Sequence, residues 1–401
     1  MQEATLRKVS RRLIPFIALL YAFNILDRTN ISVAALTMKP DLQFSDTIYG
    51  LGAGIFFLGY FLFEVPSNLI LEKVGARVWI ARILFTWGAV SAAMLFVKTP
   101  LQFYSMRFLL GVAEAGFVAV SALVGIIGGP LSGLLLGLDG QLGMKGWQWL
   151  FLLEGLPSCL LGIVALRFLT DRPKKATWLT DDERGWLIGQ LAKERKEREE
   201  THHHLSLRDA LRSPRLLHFA MIFLLYVSAG YGVGFFVPQI YKAQTNWSAQ
   251  TIALVAALPG IAGAISMLLS AAHSDRTGER KYHVAFGTTL AAIGVTGVAL
   301  SPSPYLTLTA LIVAEFGRGI VQGPFWAMPT SLLSGAAAAG GIAVINSIGN
   351  LGGFVGPYAM GWLKDKTQSY QTGLFLLAGL LIGSTILALL VPTKQTKTVD
   401  N

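Results

Sequence analysis

Residues 13–37 read LIPFIALLYAFNILDRTNISVAALT, 25 residues in which Asp27 and Arg28 are the only charges. A helix needs about 20 mostly apolar residues to cross a bilayer, so this run is long enough to span one. Lys8, Arg11 and Arg12 precede it, which is where basic residues collect when a first span starts on the cytoplasmic side. No small-residue cleavage site follows the apolar stretch, so it is read as a span and not as a removable signal. Charges at the centre of a span cost at least ~2.5–3.5 kcal/mol each on insertion scales, and such residues usually mark function.

The same pattern extends outward through the chain. Further spans are expected near 48–70, 78–97, 101–138 and 148–168, then near 215–240, 249–271, 283–301, 304–334, 339–362 and 371–391. Composition agrees: 53% of the 401 residues are hydrophobic and 14% charged, against ~45–50% and ~25% in soluble proteins. Mean hydropathy is +0.54. A soluble fold could not hide that much apolar surface, and one cysteine, Cys159, excludes a disulfide scaffold. The net charge of +10 is read as cytoplasmic loop charge, because no nucleic-acid pattern of basic and aromatic residues accompanies it. The fold class is all-α, integral to the membrane and multi-pass, with about 11 spans readable.

Residues 169–214 are polar and divide the chain into 1–168, a linker, and 215–401. Thr180-Asp181-Asp182-Glu183 is a Thr-x-x-Glu capping box that should start a helix. Trp186, Leu187 and Leu191 then alternate with charges, as in an amphipathic helix on the cytoplasmic membrane face. His202–His204 are read as linker filler and not as a metal site. The halves repeat each other. Glu72-Lys73-Val74-Gly75-Ala76-Arg77 and Asp275-Arg276-Thr277-Gly278-Glu279-Arg280 both read acid–base–x–Gly–x–Arg at a turn. Glu72 with Arg77, and Asp275 and Arg276 with Arg280, are expected to lock neighbouring helices and bias one state over another. Arg107 and Arg318 recur at matching points, and repeats of about six spans are a transporter signature.

Several motifs together resemble the major facilitator superfamily, and within it the anion:cation symporters that carry tartrate, hexuronates and aldonates. They are Asn24-Ile-Leu-Asp-Arg-Thr-Asn30, Gly59-Tyr-Phe-Leu-Phe-Glu-Val-Pro-Ser-Asn68 and Arg107-Phe-Leu-Leu-Gly-Val-Ala-Glu-Ala-Gly116. Two more are Gly146-Trp-Gln-Trp-Leu-Phe-Leu-Leu-Glu-Gly-Leu-Pro157 and Asn346-Ser-Ile-Gly-Asn-Leu-Gly-Gly-Phe-Val-Gly-Pro357. The resemblance implies a fold of two six-helix halves and a bacterial inner-membrane carrier.

One segment departs from it. With the N-terminus inside, span three exits at Lys98, and the basic run from Arg167 requires the span before it to end inside. Residues 101–138 must then cross an even number of times, which needs at least ~43 residues where 38 are present. Against relatives, the end of span four and the start of span five are missing. One tilted helix, two short re-entrant pieces and a non-functional product remain open. The single helix is favoured, and it places Lys98 and Lys145 on opposite faces.

Arg107 and Glu114 are seven residues apart, two helical turns, so both face one side of span four. An arginine fork pairs a carboxylate with two hydrogen bonds, and a buried glutamate can take and release protons. The other reading is an ion pair that only holds helices together. Asp27 and Arg28 cannot share a helix face. By resemblance, Arg28 and Arg107 bind the anion, Asp27 and Glu114 carry protons, and Tyr60 lines the site with its hydroxyl. Asn346 and Asn350 share one face of span eleven and suit substrate hydroxyls or interhelical bonding. Glu64 is read as a packing or gating residue, Glu154 as a partner for a nearby arginine, and Glu315 with Arg318 as a pair.

The function expected is proton-coupled uptake of a small organic anion by alternating access, with a transport-impaired deletion variant as the alternative. The chain is expected to act as a monomer with no cofactor, no metal and no nucleic acid. It is not an enzyme, since no nucleophile-with-base set, intramembrane His pair or phosphate-cradling loop is present.

Overall fold

The computed structural model describes residues 2–116, 125–200, 212–332 and 336–392, and its described residues form helices without strands. In the first half these are α1 (Gln2–Leu42), α2 (Asp46–Val74), α3 (Ala76–Ala93), α4 (Pro100–Glu114), α5 (Gly125–Leu136) and α6 (Gly146–Phe168). Helix α7 (Asp181–Glu200) follows. The second half holds α8 (Pro214–Gly234), α9 (Val237–Gln244), α10 (Ala249–Thr277), α11 (Lys281–Leu300) and α12 (Pro304–Leu332). It ends with α13 (Ala336–Asn350), α14 (Gly352–Thr367) and α15 (Tyr370–Leu389). Among the described residues, nine stretches are long and apolar enough to cross a membrane, α8 and α9 together forming one of them.

Each half is built chiefly from internal helix pairs: α3 on α6 and α2 on α4 in the first, α12 on α10 and α11 in the second. The halves meet along two seams, α2 against α14 and α5 against α10. Small residues let these helices approach closely. A Cβ on Gly50 of α2 would stand 2.3 Å from the carbonyl oxygen of Pro357, and one on Gly129 of α5 would stand 2.9 Å from that of Ala253.

Polar bonds between halves gather at the end where α1 leaves and α2 begins. Lys39 pairs with Asp46 and donates to Gln239 at 2.7 Å. Asp365 accepts from the backbone N–H groups of Asp46 and Thr47 at 3.1 and 2.7 Å, and the Tyr49 hydroxyl donates to the Phe235 carbonyl at 2.8 Å. At the opposite, basic end the Thr180 capping box forms: Thr180 N–H donates to Glu183 at 2.9 Å, and Glu183 N–H to Thr180 Oγ1 at 3.3 Å. Lys8 of α1 reaches Glu183 at 2.7 Å. His202–His204 lie outside the described residues.

Three sequence expectations are corrected here. Residues 101–138 are not one helix. Helix α4 opens on a Thr99–Gln102 capping box with Pro100 in its first turn, and stops after 15 residues at Glu114. Gly116 follows with φ 87°, and α5 is described from Gly125 to Leu136. At 1.5 Å per residue α4 is about 22 Å long, short of the ~30 Å hydrocarbon core. Lys145 pairs with Asp41 at 3.6 Å, and Gln148 donates to the Leu95 carbonyl at 2.8 Å. These contacts put Lys145 at the same end as Lys98, so α4 goes in and α5 comes back.

Span 339–362 is not one straight helix: α13 and α14 meet at Leu351, which keeps helical φ and ψ of −60° and −22°. Arg77, third, is joined to Asp171 and not to Glu72: its backbone N–H donates to Oδ1 at 2.7 Å, and its Nε stands 3.9 Å from Oδ2. The C-terminal turn does hold the expected pair, Arg280 with Asp275 at 3.1 Å. Arg276 sits in the last turn of α10.

Candidate functional site

Asp27 and Arg28 leave α1 in different directions, as adjacent helical residues must. Asp27 is buried between α1, α3 and α6. Its carboxylate accepts from Trp87 Nε1 at 2.6 Å, Ser91 Oγ at 2.7 Å and Ser158 Oγ at 2.9 Å. Three donors on a buried carboxylate compensate most of its lost hydration. Asp27 therefore lies within the first half's own helix packing.

Arg28 points instead toward α2 and α4. Its guanidinium pairs with Glu114 through Nη2 and lies over the rings of Phe56 and Tyr60, 5.2 and 5.3 Å from their centroids. Arg107 is fully buried and also lies against the Phe56 ring, 5.1 Å from its centroid. The sequence pattern suggests Arg107 as the partner of Glu114. In the structure Arg107 donates to the Gly52 and Ala53 carbonyls at 3.3 and 3.4 Å, and Arg28 takes Glu114. Three groups of this cluster, and one in the other half, keep unused bonding capacity among the described residues. Arg28 Nε, Arg107 Nη1, Glu114 Oε2 and, in the other half, Arg318 Nε are buried without a hydrogen-bond partner. Unmet donors on two arginines beside an acid form a place where an anion's oxygens would be strongly bound.

One turn beyond Tyr60, Glu64 crosses to the second half. It accepts from Asn346 Nδ2 and Ser347 Oγ on α13, both at 3.0 Å. Asn346 is thus engaged by Glu64, and Asn350 stands one turn further along α13, half-buried. Glu154 does not pair with an arginine. It is buried on α6 and accepts from Ser132 Oγ of α5 at 2.7 Å, while its Oε2 has no hydrogen-bond partner among the described residues. In the second half Arg318 pairs with Glu315 at 2.5 Å, the expected i,i+3 pair on α12. Glu315 lines a cavity of about 190 Å³ between the halves together with Thr29, Ser32 and Ser132.

Sequence reasoning missed Tyr231 of α8. Its ring packs 4.5 Å from Phe57, and Phe57 meets Phe56 edge-on at 5.1 Å, so the cluster's aromatic wall continues into the second half. The signal was present: Gly230-Tyr231 repeats the Gly59-Tyr60 pair of α2. Ser347 and the three donors around Asp27 carried no comparable signal.

Helix α4 ends at this cluster, and its last carbonyls are met by neighbours. Ser67 Oγ donates to the Ala115 carbonyl at 2.5 Å and accepts from Trp79 Nε1 at 2.9 Å, while Arg82 donates to the Ala113 carbonyl at 3.4 Å. A helix end at membrane depth needs such partners, because hydrocarbon supplies none.

Among proteins of known sequence, the chain is 47% identical to a protein of Agrobacterium vitis named "Putative tartrate transporter", over all of this chain and 94% of that one. That alignment runs over 424 residues, 23 more than this chain has, in keeping with a shortened segment. A "Quinolone resistance transporter" of Acinetobacter baumannii is 39% identical over 100% of this chain and 98% of that one. Among solved structures, a bacterial homolog of the human lysosomal transporter Spinster, described as inward-facing and occupied, aligns at TM-score 0.76. It covers 94% of this chain and 96% of that one at 15% identity, a likeness of fold. The Major Facilitator Superfamily model matches residues 17–124 and 117–357, two segments that meet at the junction between α4 and α5. With most of the chain matched and full-length relatives at this identity, the chain belongs to the major facilitator superfamily, a family of membrane transporters and not of enzymes.

Proposed function

We propose that the protein is a proton-coupled symporter of the cell inner membrane that takes up a small organic anion such as tartrate, an aldonate or a uronate. The observation that carries this reading is the buried cluster of Arg28, Glu114 and Arg107 on one aromatic wall. In it a substrate carboxylate binds the unmet arginine donors, and Glu114 gives up Arg28 as it takes a proton. Tyr60 lines the pocket, with Asn346 and Asn350 beside it. Asp27 is a second proton-carrying residue, held by donors on α3 and α6. Alternating access requires the bonds of Lys39, Tyr49 and Asp365 between halves to break at one end, and those of Glu64 with Asn346 and Ser347 further in. Glu72 and Arg77, with Asp275, Arg276 and Arg280, act at the turns that bias the two states. The unit is a monomer, residues 1–168 and 215–401 forming its halves and 169–214 the linker.

The test is uptake by the purified protein in proteoliposomes. Labelled tartrate should accumulate down an imposed proton gradient and make the medium more alkaline. Glu114→Gln should reduce accumulation at least tenfold while tartrate exchange at equal pH persists. Accumulation unchanged in Glu114→Gln removes the coupling role.

A second reading is a transport-impaired variant of such a carrier. The observation that favours it is the shortness of α4, which ends on Glu114 itself. It is decided by wild-type liposomes that take up none of these acids, together with uptake that appears when a relative's segment is inserted at 117–124.

A further inference from the structure

Arg318 stands on α12 where Arg107 stands on α4, in Arg-Gly-Ile-Val-Gln-Gly against Arg-Phe-Leu-Leu-Gly. Its Nη1 is taken by Glu315, and its Nε has no partner among the described residues. A Cβ on Gly230 of α8 would lie 2.8 Å from Nη2, 2.9 Å from Cζ and 3.0 Å from Nε of this guanidinium. Near-equal distances to three atoms of a planar group mean that its face rests on the glycine. The Nε/Nη2 edge is the one that forms a two-bond fork with a carboxylate. The side chain as a whole retains 27% of its exposure, while Nε itself is buried without a partner, a donor left for a ligand that enters the site.

The surroundings connect it to the first half. Tyr226 donates its hydroxyl to the Arg318 carbonyl at 3.0 Å, and its ring centroid lies 5.8 Å from the guanidinium carbon. Tyr231 stands next to Gly230 on α8. Its ring is the second-half end of the wall that runs through Phe57 to Phe56, beneath Arg28 and Arg107. Glu315, the partner of Arg318, faces Thr29 and Ser32 of α1 across the cavity between the halves.

From this geometry, and resting on the organic-anion reading above, we infer that Arg318 is a second anion-anchoring residue. It binds one carboxylate through its Nε/Nη2 edge while Arg28 and Arg107 hold another. The substrate class is then a dicarboxylate, held by one arginine site from each half. Binding at both ends also ties the halves together through the ligand, which a monocarboxylate cannot do. The residue sets specificity: an analogue with one carboxylate replaced by an uncharged amide loses the charge-assisted fork at Arg318.

The test compares affinities of detergent-purified full-length protein for tartrate and for its monoamide, measured by calorimetry. Wild type should prefer the dicarboxylate at least tenfold. Arg318→Gln should collapse that ratio toward one, and Gly230→Ala should do the same with the charge intact, by lifting the guanidinium from its seat. Arg318→Lys, which keeps the charge and loses the fork, should fall between. A ratio unchanged in Arg318→Gln overturns the inference, whatever the absolute affinities; if that variant does not fold, an unchanged ratio in Gly230→Ala and Arg318→Lys overturns it equally. Wild-type protein that binds both acids with equal affinity also overturns it and leaves the organic-anion reading standing. Wild-type protein that binds neither acid overturns this inference, and failure to bind an aldonate and a uronate as well removes the broader reading.

Discussion

Helix α4 of the first half and α12 of the second, its counterpart when α8 and α9 count as one span, meet the same difficulty and resolve it differently. In the second half α12 runs 29 residues and contains Pro324. Proline has no N–H, so the carbonyl of Ile320, four residues earlier, loses its helical partner. Ser270 of α10 supplies the missing donor at 2.8 Å, and the helix continues. In the first half α4 stops after 15 residues, and Ser67 of α2 donates to the Ala115 carbonyl at 2.5 Å. A serine from a neighbouring helix satisfies an orphaned carbonyl in both. In one case it patches a helix that goes on, and in the other it seals one that ends. A shortened helix is therefore tolerable at membrane depth where its end is buried in protein that bonds it.

The largest difference between the halves should appear at the glycines after the two arginines. Gly116 adopts φ 87°, and a Cβ there would stand 2.4 Å from Ser67 Oγ. The left-handed conformation alone costs a non-glycine residue about 1–2 kcal/mol, and the contact also pushes away the serine that seals α4. Gly116→Ala should therefore destabilise by about 3 kcal/mol or more. Gly323 of α12 is helical, and its Cβ would meet only Ala271 Cβ, at 3.2 Å. Gly323→Ala should stay within about 1 kcal/mol of wild type, because the helix-propensity gain offsets a mild contact. Thermal unfolding in detergent reads both. Equal losses would mean that the junction after α4 is no more constrained than the middle of α12.

The serines themselves should differ by less. Ser67→Ala strands two groups, the Ala115 carbonyl and the Trp79 indole N–H, so about 2–4 kcal/mol is expected. Ser270→Ala strands only the Ile320 carbonyl, for about 1–2 kcal/mol. If the second substitution costs as much as the first, sealing an end and patching a bend are energetically the same.

Much of this architecture could be read before any coordinates. Apolar length located the spans, and counting crossings exposed the shortage between residues 101 and 138. What could not be read was the partner of each internal charge. Periodicity states which face of a helix a residue occupies, not which helix it meets. Arg107 and Glu114 share a face, yet Glu114 is taken by Arg28 on α1, 86 positions earlier. Asp27 draws donors 60, 64 and 131 positions away. The single helix expected at 101–138 failed for the same reason. Its apolar run is continuous in sequence, but Gly116 can turn, and Ser67 and Arg82 stand ready on other helices to receive the broken end. Glu72 was matched with Arg77 by nearness in sequence, while the acid that reaches Arg77 lies beyond α6, at Asp171.

The smallest predicted effect separates the two halves at their basic ends. In the second half the bonds of Glu279 are local: burial pushes its carboxyl up, but the backbone N–H groups of Tyr282 and His283 and the His283 ring outweigh that and hold it low. At the linker beside the first half Glu183 is held low chiefly by the hydrogen bond from Lys8, and then by the Thr180 backbone N–H, so the same depression joins α1 to α7. A carboxyl whose folded-state value is depressed contributes stability that is complete above its ordinary range and fades as the pH falls through the depressed value. Glu183→Gln should thus lower the melting temperature slightly at pH 7, and the gap from wild type should close below pH ~4. High salt should shrink the gap at pH 7 as well, because an exposed pair is screened. A gap that persists at low pH would assign the effect to the Thr180 cap and not to the charge that ties α1 to α7.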